Sequence, residues 1–67
     1  MSGKIDLENG NYIEYDIIWS PEGIGNILWG EYRKNGEKTR RIGDILLDAS
    51  TNGKKYEDLI VEDYSKC

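Results

Sequence analysis

The sequence predicts a small, mainly β fold: an antiparallel meander of four or five strands in a single domain spanning residues 1–67. Three observations carry that expectation. The dipeptides Asn9-Gly10, Asn35-Gly36 and Asn52-Gly53 each fall between stretches rich in Ile, Leu, Tyr and Trp. Asn and Gly tolerate the positive φ that tight turns between antiparallel strands require, which makes this the strongest short-range hairpin signal. Apolar and polar residues alternate around the first of these turns with the period of a half-buried strand. The only proline, Pro21, sits with Gly23 and Gly25 in a single break near the first third of the chain.

The first strand covers residues 3–8, where Ile5 and Leu7 face one way and Asp6 and Glu8 the other. The second covers residues 12–19, with Ile13, Tyr15, Ile17 and Trp19 opposite Tyr12, Glu14, Asp16 and Ile18. Register tests the turn between them. A two-residue turn at Asn9-Gly10 sets Asp6 opposite Ile13, mixing polar and core residues on one face. A three-residue loop with Gly10 as a left-handed bulge residue pairs Ile5 with Ile13 and keeps the odd-numbered apolar residues together. The bulged loop is the expectation.

Ser20-Pro21-Glu22-Gly23-Ile24-Gly25-Asn26 is read as the one long irregular connection. Its Gly-x-Gly lacks the third glycine and following helix of a phosphate-binding fingerprint. The third strand then spans residues 27–34 and the fourth starts near 37. A two-residue turn at Asn35-Gly36 sets Lys34 opposite Glu37, Tyr32 opposite Thr39, Glu31 opposite Arg40 and Trp29 opposite Ile42. Opposite charges and aromatic–β-branched pairs each add roughly 0.2–1 kcal/mol across strands.

Residues 42–52 support two readings. Ile42, Ile45, Leu46 and Ala49 form a helical stripe, which makes a short helix over 44–51 with Asp44 as its cap and Gly53 as its end. Alternatively the segment is a strand, and Asn52-Gly53 turns it back so that Leu46 pairs with Leu59 and Ile45 with Ile60. The last segment, Lys55 to Tyr64, reads as a strand centred on Leu59, Ile60 and Val61. The strand count and the run Gly43-Asp44-Ile45-Leu46 resemble SH3-like barrels. That resemblance implies a meander curled into a small barrel and implies nothing about function.

Composition narrows the function classes. The chain has 37% hydrophobic and 33% charged residues and a net charge of −4, too apolar for a disordered acidic tail. So short a domain buries only about 60% of its unfolded surface, and usually gains stability from a disulfide, a metal or a partner. A single cysteine, Cys67, rules out an intrachain disulfide, and without histidine it cannot build a zinc site. Cys67 is expected to be a tail residue, since a prenylation box has three residues after its cysteine. No apolar run approaches the ~20 residues of a membrane span, and the N-terminal residues turn charged at once, as a signal peptide does not. With an unpaired thiol, the expected setting is the cytoplasm.

Catalysis is not expected. The familiar nucleophile–base triads need a histidine or an activated thiol, and no carboxylate spacing singles out an acid and a base. No catalytic residue, metal ligand or cofactor is assigned, and no twelve-residue calcium loop is present.

Two candidate binding regions follow from charge. Residues 31–41 carry Arg33, Lys34, Lys38, Arg40 and Arg41 against Glu31 and Glu37, a local +3, so the remainder of the chain sums to −7. Beside Trp29 and Tyr32, such a hairpin suits a nucleotide or single-stranded nucleic acid, with guanidinium groups on phosphate and aromatic rings on bases. The bland alternative is a hairpin whose charges keep its strands soluble. Glu57, Asp58, Glu62 and Asp63, with Glu14 and Asp16, form an acidic surface that suits a basic groove on a partner protein, reached by electrostatic steering. Trp19 and Trp29 are expected in the core, or else as interface anchors.

The leading expectation is therefore a small acidic interaction protein without catalytic activity that binds and inhibits a protein partner. By analogy it is of the kind found among phage and mobile-element accessory factors. The alternatives are a nucleotide or single-stranded nucleic-acid binder acting through residues 33–41, and a self-assembling, homo-oligomeric subunit.

Overall fold

The computed structural model describes residues 1–51 and 53–66. Four strands, β1 (Ser2–Asp6), β2 (Tyr12–Trp19), β3 (Gly25–Tyr32) and β4 (Lys38–Leu47), form one antiparallel sheet in the order β1-β2-β3-β4. A short 3-10 turn, Ala49–Thr51, follows, and the chain ends in a helix, α1 (Tyr56–Ser65). The mainly β meander is as the sequence predicts. It is an open sheet with a helix on one face, not the barrel that the SH3-like resemblance implies.

All three hairpins use the same device. Leu7 N–H donates to the Asn11 carbonyl, Ser20 N–H to Ile24 and Arg33 N–H to Glu37, at 2.7–2.8 Å, each closing a three-residue loop. The third loop residue is Gly10, Gly23 or Gly36, at φ of +87°, +85° and +91°. A side chain in that left-handed region costs roughly 1–2 kcal/mol, which is why glycine ends each loop. The Asn9 and Asn35 side chains accept from the N–H two residues on, at 3.0 Å in both cases.

The first loop is the bulged one that register demands, with Ile5 opposite Ile13. The other two correct the sequence reading. Residues 20–24 are a tight hairpin rather than a long irregular connection, because Gly23 does at Pro21-Glu22-Gly23 what Gly10 does in the first loop. At Asn35-Gly36 the loop has three residues rather than two, so Tyr32 pairs with Lys38. Between Tyr32 and Gly30 the register shifts, and Gly30 faces Ile42 while Trp29 faces Gly43. Thr39, Arg40 and Arg41 thus stand opposite Glu31 alone. The Thr39 hydroxyl holds the bulge by donating to Glu31 and accepting from Arg41 N–H at 3.2 Å.

The C-terminal third departs most from the sequence reading. β4 runs on to Leu47, so residues 44–47 are strand and no helix covers 44–51. The hairpin expected at Asn52-Gly53 does not form, since a helix follows: Gly53 takes φ +86° in the turn into α1, and Asn52 lies outside the described residues, as does Cys67. The expected last strand is α1. Tyr56, Leu59, Ile60, Asp63 and Tyr64 recur at helical spacing on one face, and Glu57 and Asp58 in the first turn suit the positive end of the helix dipole.

That helix closes the core. Ile13 and Ile17 of β2, Ile27 and Trp29 of β3, Leu47 of β4, and Leu59 and Ile60 of α1 are buried together. Each fully buried aliphatic contributes about 1.5–3 kcal/mol. Every buried strand residue that carries a side chain is odd-numbered, so α1 covers the odd face. Gly43 lies beneath the Trp29 indole and the Asp63 carboxylate, where a Cβ would collide with both.

Candidate functional site

On the covered face, hydrogen bonds fix α1 to the sheet. Trp29 Nε1–H donates to Asp63 Oδ2 at 2.8 Å. The Tyr64 hydroxyl donates to Glu31 Oε2 at 2.7 Å, and Thr39 Oγ1 donates to Glu31 Oε1 at 3.0 Å. Glu31 is 4% exposed, the one buried charged residue among those described. Burial pushes its carboxyl up, but the hydrogen bonds from Tyr64, Thr39 and Asn11 and the nearby Arg41 charge outweigh that and leave it below the usual carboxylate range. The same bond to Glu31, with burial and the Glu31 charge, raises the Tyr64 phenol, and Arg41 offsets part of the rise. The Arg41 guanidinium lies 5.0 Å from the Tyr64 ring centre.

The basic hairpin is divided by the sheet. Trp29 is buried against α1, with Tyr64 edge-on at 6.0 Å. Tyr32 lies on the opposite face, stacked on Tyr12 at 5.6 Å. The two aromatic residues that the sequence places beside the basic cluster therefore do not share a surface with each other. Arg33, Lys38, Arg40 and Arg41 do converge, whereas Lys34 lies toward Gly10 of the first loop, and all five are exposed. An open cleft of about 620 Å³ between loop and bulge is lined by Arg33, Lys38, Arg40 and Arg41 above Glu31 and Tyr64. Among the described residues, no ion pair joins Arg33, Lys34, Lys38 or Arg40 to a carboxylate.

The acidic set is likewise split. Glu57, Asp58 and Glu62 are exposed on α1, with Glu62 3.5 Å from Lys66. Asp63 instead faces the sheet and holds Trp29. Trp19, expected in the core, is 52% exposed at the end of the sheet. With Ile24, Leu47 and Tyr56 it walls an open cleft of about 470 Å³.

The surface that sequence reasoning missed is the even face of the sheet, which no element covers among the described residues. Ile18 (50% exposed), Leu28 (44%), Ile42 (59%) and Leu46 (52%) all point outward there. Register makes Leu28 their hub. It faces Asp16 on β2 and Asp44 on β4, with Ile18, Ile42 and Leu46 at the diagonal positions, within reach of long side chains. Gly30, between Glu14 and Ile42, leaves a shallow hollow of about 460 Å³ that Leu28, Tyr32 and Lys38 also line. Carboxylates stand among the apolar groups: Glu14 and Asp16 from β2, and Asp44, which accepts from Asn26 Nδ2 at 2.9 Å. The sequence did carry the signal, since Ile18, Leu28, Ile42 and Leu46 share even parity. A two-residue turn at Asn35-Gly36 hides it by folding Ile42 inward opposite Trp29.

Among the described residues no helix is long and apolar enough to cross a membrane. Compared with models of protein families, with curated proteins and with solved structures, the chain matches none.

Proposed function

We propose that this chain is a binding module without catalytic activity, and that its uncovered sheet face docks onto a partner protein. The observation that supports this reading is the outward-facing group of Leu28, Ile18, Ile42 and Leu46, each 44–59% exposed. Contiguous apolar surface of this kind on a small protein marks an interaction site. The occupant it fits is a protein surface presenting lysine or arginine among apolar side chains, because Glu14, Asp16 and Asp44 flank the apolar hub. Charge on both sides then fixes register and speeds encounter, while burial around Leu28 supplies affinity. A partner whose basic groove holds another acidic ligand is inhibited by such occupancy, which is how a −4 chain acts as an inhibitor in this reading. Its setting in this reading is the cytoplasm.

The test starts from a photo-crosslinker placed at position 28 in the native host, which identifies the partner. Binding of that purified partner is then measured. Leu28→Asp is expected to weaken it at least about tenfold while far-UV circular dichroism is unchanged. Unaltered binding overturns the reading.

The cleft at Arg33, Arg40 and Arg41 favours a second reading, a small phosphate-bearing ligand such as a nucleotide or a short single strand. Exposed guanidinium and ammonium groups support it, whereas the burial of Trp29 removes one stacking platform. Affinity in that case falls steeply with salt and is lost in the double variant Arg40→Ala, Arg41→Ala.

A further inference from the structure

We propose that the β4 edge pairs with a second copy of this chain, joining two meanders antiparallel through residues 43–47. This goes beyond the docking face and does not rest on it. The two edges of the sheet are unlike. β1 has five residues and carries Lys4 and Asp6 3.8 Å apart, so it is short and charged, as protected edges are. β4 has ten residues, and among those described its backbone hydrogen bonds go only to β3. Its first half is protected by the bulge and by Lys38, Arg40 and Arg41. Its second half, Ile42-Gly43-Asp44-Ile45-Leu46-Leu47, carries one charge, and Asp44 is turned to Asn26 on β3. An exposed stretch of such residues is a template for strand addition.

Charge selects a second copy as the strand that adds. α1 runs antiparallel to β4, with Tyr56 near Leu47 at one end and Tyr64 near Arg41 at the other. Under a two-fold axis normal to the sheet, the basic bulge of one copy comes beside the start of α1 in the other. Arg40, which has no ion pair among the described residues, then approaches Asp48 of the second copy, the carboxylate that directly follows Leu47 at the end of β4. Like charges also choose the register. Centring the axis on Asp44 sets two carboxylates face to face, which is unfavourable. Centring it on Ile45 pairs Ile45 with its symmetry mate, Asp44 with Leu46, and Gly43 with Leu47. Both helices then lie on one face of an eight-stranded sheet, and the apolar even face stays uncovered and doubles in length.

Sedimentation equilibrium of the full chain, with circular dichroism as a fold check, tests this. The mass is expected to rise from one chain's 7.7 kDa toward twice that value at millimolar concentration. Leu46→Glu places a second carboxylate against Asp44 twice per dimer and is expected to weaken association about tenfold or more. Leu46→Lys places an ammonium there and keeps or tightens it. Leu28→Asp, on the face but away from the edge, leaves it unchanged. A wild-type monomer at millimolar concentration overturns the proposal. So do equal losses in the two Leu46 variants, or dissociation by Leu28→Asp.

Discussion

Glu31 is where removing a few atoms should damage the fold most. Its carboxylate accepts from Tyr64 on α1 and from Thr39 in the bulge, so it ties helix, β3 and β4 together. Hydrogen bonds to a charged group contribute about 1.5–3 kcal/mol each. Glu31→Ala removes both and strands two hydroxyl donors. The cleft above them admits water, which reduces the combined loss to about 2–4 kcal/mol. A chain of 67 residues has roughly 3–10 kcal/mol in all, so this variant stands near the edge of folding. Glu31→Gln keeps one acceptor oxygen without the charge and is expected to lose about 1–2 kcal/mol. Urea unfolding followed by tryptophan fluorescence is the assay, since Trp29 lies beside this network. The pH dependence has a definite sign. Because the folded carboxyl lies below its ordinary value of 4.5, its contribution is complete above that pH and is lost as pH falls through the folded value. The gap between wild type and Glu31→Gln should therefore close in acid. An alanine variant within about 0.5 kcal/mol of wild type, or a gap that stays constant down to about pH 3, refutes the reasoning.

Gly43→Ala drives a methyl group into the Trp29 ring and Asp63, and is expected to destabilise by about 1–3 kcal/mol in the same urea assay. Gly30→Ala meets only ordinary contacts with Ile42 and Lys38, so it should leave stability equal or slightly higher while weakening any partner that enters the hollow, as titration calorimetry would show. Gly36→Ala forces a side chain to φ +91° and should lose about 1–2 kcal/mol, read as a lower thermal midpoint. Trp29→Phe removes the indole donor to Asp63 and should speed amide exchange throughout α1 more than in β2, measured by hydrogen–deuterium exchange.

The strands were legible wherever alternation and turn chemistry agreed. Ile5, Ile13 and Gly10 fix the first hairpin without reference to anything distant. The same register argument was available at Gly36, but opposite charges at Lys34 and Glu37 made a shorter loop attractive, and that moved Ile42 to the wrong face. Glu31 shares odd parity with Ile27 and Trp29, which points it inward. Sequence could not supply the reason it stays there, because Tyr64 lies 33 residues away. Leu59-Ile60-Val61 is too short an apolar run to separate helix from strand by periodicity alone. The deciding fact is tertiary: an odd sheet face with Ile13, Ile27 and Trp29 on it needs a cover, and the stripe from Tyr56 to Tyr64 provides one. Of the candidate site, charge placed the basic loop correctly at a hairpin tip. It gave no hint that the sheet would put Tyr32 and Trp29 on opposite sides.

The central claim is that the uncovered even face holds the partner, and a footprint tests it most directly. Hydrogen–deuterium exchange of the full chain, with and without the partner captured from position 28, should show protection concentrated in residues 26–30 and 42–46. Protection confined to residues 33–41, with no change around Leu28, would contradict it.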